Sequence, residues 1–416
     1  MALPWIISVD DHVIEPPHIW ESWMPSKFGD QIPKVQKLPW EWGPGFPGQR
    51  VRPASSGPET DFWSFGEFRV ALLNIEAAAG FTPEQLDNRP VAYEDIRPGC
   101  WKVEDRLADL DVVKIERSLC FPNVVRFAGQ IFLWMDDKEL SLACIKAYND
   151  WMVEEWAGES EGRLIPLCIV PLWDPQLAAD EVRRNAARGV RAVTFSELPA
   201  KLGLPSVHDQ DGHWLPFFQA CDETGTVINI HIGSSSSVAG SSDDMPSRCR
   251  QSSLSFNAQL AFTDWVFGGL LQRFSNLKLS FSESQIGWMP YVLERMDRIW
   301  RVGNAVSKVD MDVFENPPSS YLKDRVYGCF FEDTFGVEVR DKVGIDQITF
   351  EADYPHQDST WPHTYEYLAE VLEDVPEDEA YKIARGNAIT MLDLDPEPLV
   401  TDAVRSGTDI LSRPQS

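Results

Sequence analysis

Two periods of hydrophobic and polar residues alternate along this chain, and together they predict its architecture. Ile6, Ile7 and Val9 read as a buried strand that stops abruptly at Asp10-Asp11-His12. Beyond about residue 100, short apolar runs rich in β-branched and aromatic residues take turns with amphipathic stretches of helical period. Strands are predicted at Ile115–Phe121, Arg163–Pro171, Val190–Phe195, Thr226–Ile232, Leu277–Ser282, Arg325–Phe330 and Gln347–Ala352. Helices are predicted at Val103–Asp111, Lys138–Glu155, Gln176–Ala187, Trp214–Glu223, Gln259–Phe267, Met289–Val302, Val337–Val343, Thr364–Leu372 and Glu377–Leu392. With the first strand this makes eight, mostly separated by helices, which is the order of a (β/α)8 TIM barrel in the α/β class.

Residues 26–100 interrupt that rhythm. They lose clear periodicity and fill with Pro, Gly and Trp, as in Pro39-Trp40-Glu41-Trp42-Gly43-Pro44-Gly45-Phe46-Pro47. So long a connection inside a compact domain is usually a functional lid or a disordered segment. Trp40, Trp42, Phe46, Trp63, Phe65 and Phe68 favour a packed, lid-like insertion that covers the pocket and adds aromatic side chains to it. Residues 1–394 are therefore expected to form a single barrel domain. The stretch 395–416, with charges, Pro and Ser but no periodicity, is expected to be a loop or arm.

Composition narrows the chemistry. A net charge of −28 argues against nucleic-acid or anionic-membrane partners, because phosphate contacts need Lys and Arg. The seven cysteines form no C-x-x-C pair, which suits a reduced, cytoplasmic protein. Met1 to Val9 lacks a signal-peptide pattern, and no apolar run approaches the roughly 20 residues of a membrane span. Sixteen tryptophans in 416 residues make an aromatic-lined pocket more plausible than core packing alone would. No P-loop or dinucleotide fingerprint is present. The assembly expected is a homo-oligomer, a dimer or tetramer.

Side chains alternate along a strand, so Asp10 and His12 point the same way and Asp11 points away. A carboxylate and an imidazole sharing one direction make half of a divalent-metal site, a weak signal taken alone. Three later strand ends strengthen it: His231 after the fifth, Glu283 after the sixth and Asp353 after the eighth. The C-terminal ends of the strands are where such barrels carry their chemistry. Each residue has a plainer reading as well. His231 suits a core histidine bonded to a carbonyl, and Asp353 an Asx-turn residue before Tyr354-Pro355-His356. Glu283 suits a carboxylate that orients a ligand. His356 reaches the pocket mouth from three residues on, while His208 and His213 fit a plain helix entry.

Asp10-x-His12, His231 and Asp353 resemble the amidohydrolase-related (amidohydrolase family 2) metal-dependent enzymes. So do Asp105-Arg106-Leu107-Ala108-Asp109-Leu110-Asp111, Tyr148-Asn149-Asp150-Trp151, Asp353-Tyr354-Pro355-His356 and Arg385-Gly386-Asn387-Ala388. Within them the chain is most similar to the group of aminocarboxymuconate-semialdehyde decarboxylase and the resorcylate and carboxyvanillate decarboxylases. The resemblance implies one Zn²⁺ or Mn²⁺ held by Asp10, His12, His231 and Asp353, with catalytic work by Asp353, Glu283 and His356. Two departures stand out: Asp10 where several relatives have His or Glu, and Glu283 where many have a catalytic His. The activity expected is decarboxylation of a small aromatic or unsaturated carboxylic acid. The same resemblance leaves open hydrolysis of a lactone, ester or amide by metal-activated water, and a non-catalytic metal-binding barrel.

Overall fold

The computed structural model describes residues 3–45, 49–242, 244–302 and 315–400. Phe46 and the tail beyond residue 400 lie outside the described residues. The chain divides into two compact units. One comprises Met1–Pro4, Trp173–Glu351 and Leu368–Pro396; the other comprises Trp5–Leu172, Ala352–Tyr367 and Glu397–Ser416.

In the first unit five strands lie parallel in chain order: Ala192–Ser196, Val227–His231, Leu279–Ser282, Val326–Phe330 and Ile348–Phe350. Every residue in them is buried, as expected for strands covered on both faces. The helix-facing side is aromatic. Phe195 packs 4.7 Å from Phe217 and 4.9 Å from Trp214, and Phe281 packs 5.4 Å from Phe262. Local chemistry sets the helix ends. Asp174 caps Pro175–Ala186 by accepting the amides of Gln176 and Leu177, and Leu215–Thr224 stops at Gly225, whose φ of 67° suits a residue without a Cβ.

In the second unit Ile6–Val13 pairs in parallel with Ile115–Pro122, which pairs with Leu164–Ile165. The predicted strand Arg163–Pro171 is cut into Leu164–Ile165 and Leu167–Cys168 around Pro166, which has no N–H to give a ladder. Lys138–Trp151, capped by Asp137, runs on through a π-helical turn at Met152–Ala157, so the predicted length of that helix is observed. The predicted helix Val337–Val343 is instead two short ones, Thr334–Glu338 and Arg340–Val343.

The region 26–100 is more ordered than its pattern suggests. It contains a four-stranded antiparallel sheet of Val51–Pro53, Lys34–Trp42, Glu59–Phe65 and Phe68–Ala71, in that spatial order. Its alternation is hard to read because aromatics occupy consecutive positions: Phe62 and Trp63 are both buried, one on each face. Gly66, at φ 55°, makes the tight turn between the last two strands. Trp63 and Phe65 pack 4.9 and 5.0 Å from Trp20, and Phe132 closes the cluster. Among the described residues no helix is long and apolar enough to cross a membrane. All seven cysteines are free thiols.

Candidate metal centre

The strand Ile6–Val13 carries a bulge. Ser8 pairs with Ser118 and Asp11 with Cys120, so three steps on one strand face two on the other. Beyond the bulge the side chains part as alternation predicts. Asp11 turns to Ser118, whose hydroxyl it accepts, and to the amide of Tyr354. Asp10 and His12 face a common point, with His12 Nε2 3.6 Å from Asp10 Oδ1.

Asp353 joins them from the other end of the chain. Its amide donates to Asp10 O at 3.0 Å and the His12 amide donates to Tyr354 O at 2.6 Å, which stitches the two segments together. Asp353 sits at φ 54°, a left-handed conformation that Asp tolerates better than most residues. Its Oδ1 lies 3.4 Å from His12 Nε2 and 3.0 Å from His356 Nδ1. His356 stacks on His12 with ring centroids 3.7 Å apart, and Phe127 lies 5.0 Å from the His12 ring. Asp10, His12 and Asp353 are fully buried.

This donor set fits a divalent ion. Two ligand atoms that each stand about 2.1 Å from a shared ion are roughly 3.0–3.4 Å apart at octahedral to tetrahedral angles. The observed separations of 3.0, 3.4 and 3.6 Å bracket that range, and His12, Asp353 and His356 form a geometrically compatible trio. Imidazole and carboxylate with no thiolate suit Zn²⁺ or Mn²⁺.

Neighbouring residues hold these ligands in place. Arg106 is completely buried and donates to His12 O at 2.6 Å and Gly99 O at 2.7 Å, with its guanidinium 4.3 Å from the Tyr354 ring. Asp109 accepts the Tyr354 hydroxyl at 2.6 Å and two Arg97 donors, Nε and Nη2. The Asp105–Asp111 stretch thus anchors the segments that carry Asp10, His12 and Asp353. Asn123 Oδ1 meets His356 Nε2 at 3.0 Å. The loop bearing Asn123 is held by Glu15, whose carboxylate accepts the amides of Asn123, Val124 and Val125. Burial pushes the Glu15 carboxyl up to about 7 despite those bonds. Neither Glu15 nor Asn123 was singled out from the sequence, although both are polar residues just past a predicted strand. The insertion also reaches the loop that bears His356: Ala78 and Ala79 donate to Pro355 O, and Gln357 donates to Ile75 O.

His231 and Glu283 belong to the first unit. His231 ends its strand fully buried, and its Nδ1 contacts Ile232 O at 2.5 Å. That carbonyl requires a proton on Nδ1, which leaves Nε2 as the nitrogen able to bind a ligand. Nε2 lies 3.8 Å from Glu283 Oε2. Glu283, at φ 53°, donates its amide to Glu351 Oε2, which also accepts the Cys329 thiol. Glu197 pins the loop after His231 by accepting the Gly233 amide, the Ser235 hydroxyl and the Asn257 side-chain amide, and burial raises its pKa. His208 and His213 precede the Leu215–Thr224 helix as expected, His208 lying 3.3 Å from Asp264.

Comparisons with known proteins identify the family and the fold. The chain is 23% identical, over 73% of its length and 80% of the relative's, to a 2-amino-3-carboxymuconate-6-semialdehyde decarboxylase of Dictyostelium discoideum. Its structure resembles that of an amidohydrolase from Mycobacterium avium subsp. paratuberculosis K-10, with a TM-score of 0.66, 20% identity, and coverage of 94% of this chain and 99% of the other. It also resembles 5-carboxyvanillate decarboxylase from Novosphingobium aromaticivorans, solved with manganese and 4-hydroxy-3-methoxy-5-nitrobenzoic acid, with a TM-score of 0.62, 15% identity, and coverage of 94% and 96%. The amidohydrolase (Amidohydro_2) family model matches residues 38–394, leaving only the Asp10–His12 hook of the candidate centre outside the match. A match of that extent, together with a fold shared along nearly the whole chain, makes this protein a member of the amidohydrolase family with its (β/α)8 barrel fold.

Proposed function

We propose that this protein is a metal-dependent carboxy-lyase that removes CO₂ from a small aromatic or unsaturated carboxylic acid. The observation that carries the reading is the cluster of buried Asp10, His12 and Asp353, spaced as ligands around one ion with His356 against Asp353, in a chain whose family relatives include decarboxylases. Asp10, His12 and Asp353 would hold a Mn²⁺ or Zn²⁺, with His231 as the fourth ligand through Nε2. The manganese of the carboxyvanillate decarboxylase structure supports Mn²⁺ as the first ion to test. When bound, the ion supplies Lewis-acid polarisation of the oxygens of the acid.

The remaining work falls to the chain's own residues. Asp353 or Glu283 delivers a proton to the carbon that loses CO₂. His356 Nδ1, 3.0 Å from Asp353 Oδ1, exchanges a proton with that carboxylate, and Asn123 orients the imidazole from its other nitrogen. Residues 26–100 form a lid over the pocket of a domain spanning 1–394. We place the protein in the cytoplasm as a dimer or tetramer.

Elemental analysis of the purified protein and of His231→Ala is the direct test. One transition-metal ion per chain is expected in the wild type and a loss of it in the variant. Unchanged metal in His231→Ala removes that residue from the ligand set, and a metal-free wild type that takes up neither Mn²⁺ nor Zn²⁺ refutes the reading. With a substrate in hand, turnover in ¹⁸O-labelled water separates the chemistries. Label in a new carboxylate or hydroxyl without CO₂ release would show a hydrolase instead.

A further inference from the structure

We propose that Ser196 and Ser282 bind the acid, donating hydrogen bonds from their hydroxyls to its oxygens on either side of His231. The assignment rests on the metal-centre reading above and adds two ligand-binding residues to it. His231 pairs in register with Ser196 on one side and with Ser282 on the other. Residues in register on neighbouring strands stand on the same face of a sheet, about 4.8 Å apart. The opposite face is identified by Phe195 and Phe281, which precede the two serines and pack against Trp214 and Phe262 from the helices. Ser196, His231 and Ser282 therefore form one row on the interior face.

Both serines are completely buried, and neither hydroxyl has a hydrogen-bond partner among the described residues. That condition is unusual for a hydroxyl inside a protein, where local backbone carbonyls are generally within reach. Ser234 shows the ordinary outcome nearby, its hydroxyl closing on His231 O at 2.7 Å. One step below the row, Asn229 uses its amide nitrogen on Val193 O and Val227 O, and its Oδ1 makes no hydrogen bond to either serine. Two buried hydroxyls thus flank the imidazole and lie in the same layer as its ring. A ligand carrying oxygen atoms beside His231 would satisfy both. A purely apolar group there would leave them unpaired at a cost that disfavours its binding.

The carboxylate of an acid is the natural acceptor, because a hydrogen bond to a charged oxygen is stronger than one to a neutral group. Losing one such bond is expected to weaken binding about tenfold or more. Calorimetric titration of the manganese-loaded protein with 2,6-dihydroxybenzoate and with 4-hydroxy-3-methoxy-5-nitrobenzoate measures this. The proteins compared are wild type, Ser196→Ala, Ser282→Ala and the double variant. Manganese stoichiometry and urea stability are expected to stay at the wild-type level while each single variant loses about tenfold in affinity. Ser196→Cys and Ser282→Cys, close to Ser in volume but weak donors, are expected to show the same loss, which separates hydrogen bonding from packing. Variants that hold manganese and bind both acids as tightly as wild type overturn the assignment. So does a wild type that holds manganese and binds neither acid. A wild type that takes up no manganese overturns the metal centre itself, and this assignment with it.

Discussion

Glu15 offers a sharp test of how the candidate centre is supported. Its carboxylate is fully buried and accepts the Val124 amide at 2.8 Å and those of Asn123 and Val125 at 3.2 Å each. Desolvation outweighs these bonds and raises its pKa from 4.5 to about 7. A carboxyl with a raised folded-state pKa favours folding at low pH, and that advantage declines as pH rises from the unfolded value through the folded one. The window is therefore about pH 4.5 to 7. Ionising the buried group over it removes about 3 kcal/mol of stability, at about 1.4 kcal/mol per pH unit. Glu15→Gln cannot ionise. At pH 4.5 it should be the less stable protein by about 1–2 kcal/mol, because its NH₂ group faces backbone amides that need an acceptor. Near pH 7.5 the order should reverse. Urea unfolding of both proteins at half-unit steps from pH 4.5 to 8 gives the difference directly, with background titrations common to both cancelling. A difference that stays constant across that range would refute the placement of a strained carboxyl at Glu15.

Arg106→Met should cost about 2–5 kcal/mol in urea unfolding, since each buried carbonyl left without a donor costs about 1–3 kcal/mol. Two carbonyls, those of His12 and Gly99, lose their donor, and a loss below about 1 kcal/mol would show that Arg106 is not a strut. Asn149→Ala should cost about 2–4 kcal/mol in the same assay, since Asn149 closes on both the carbonyl and the amide of Ile169 at 2.9 Å and leaves both unpaired when truncated. A wild-type melting curve would expose that reading as wrong.

Much of the organisation was present in one dimension. Apolar period and punctuation are local properties of a chain, so the alternation of strands and helices could be followed residue by residue. The placing of Asp10, His12, His231, Glu283 and Asp353 at strand ends followed from the same pattern. Composition, being a property of the whole chain, disfavoured nucleic acid as a partner without any reference to fold. The motifs Asp105–Asp111 and Arg385–Ala388 were visible too, but their work was not. Arg106 grips the carbonyl of His12, while Asn387 closes on the carbonyls of Ile345 and Ile348.

Tertiary structure decided the rest. The bulge between Ser8 and Asp11 exists only as a mismatch with a neighbouring strand, so no pattern within Ile6–Val13 announces it. The antiparallel sheet within 26–100 escaped notice because Trp and Phe line both of its faces and erase the alternation that marks a strand. Asn123 reaches His356 across more than two hundred residues of chain, and Glu15 reaches Asn123 across more than one hundred. Ser196 and Ser282 are ordinary serines until strand register sets them on either side of His231. Each of these relations depends on which segments become neighbours. That choice is made by burying apolar surface over the whole chain, and a sequence window holds only one side of each contact.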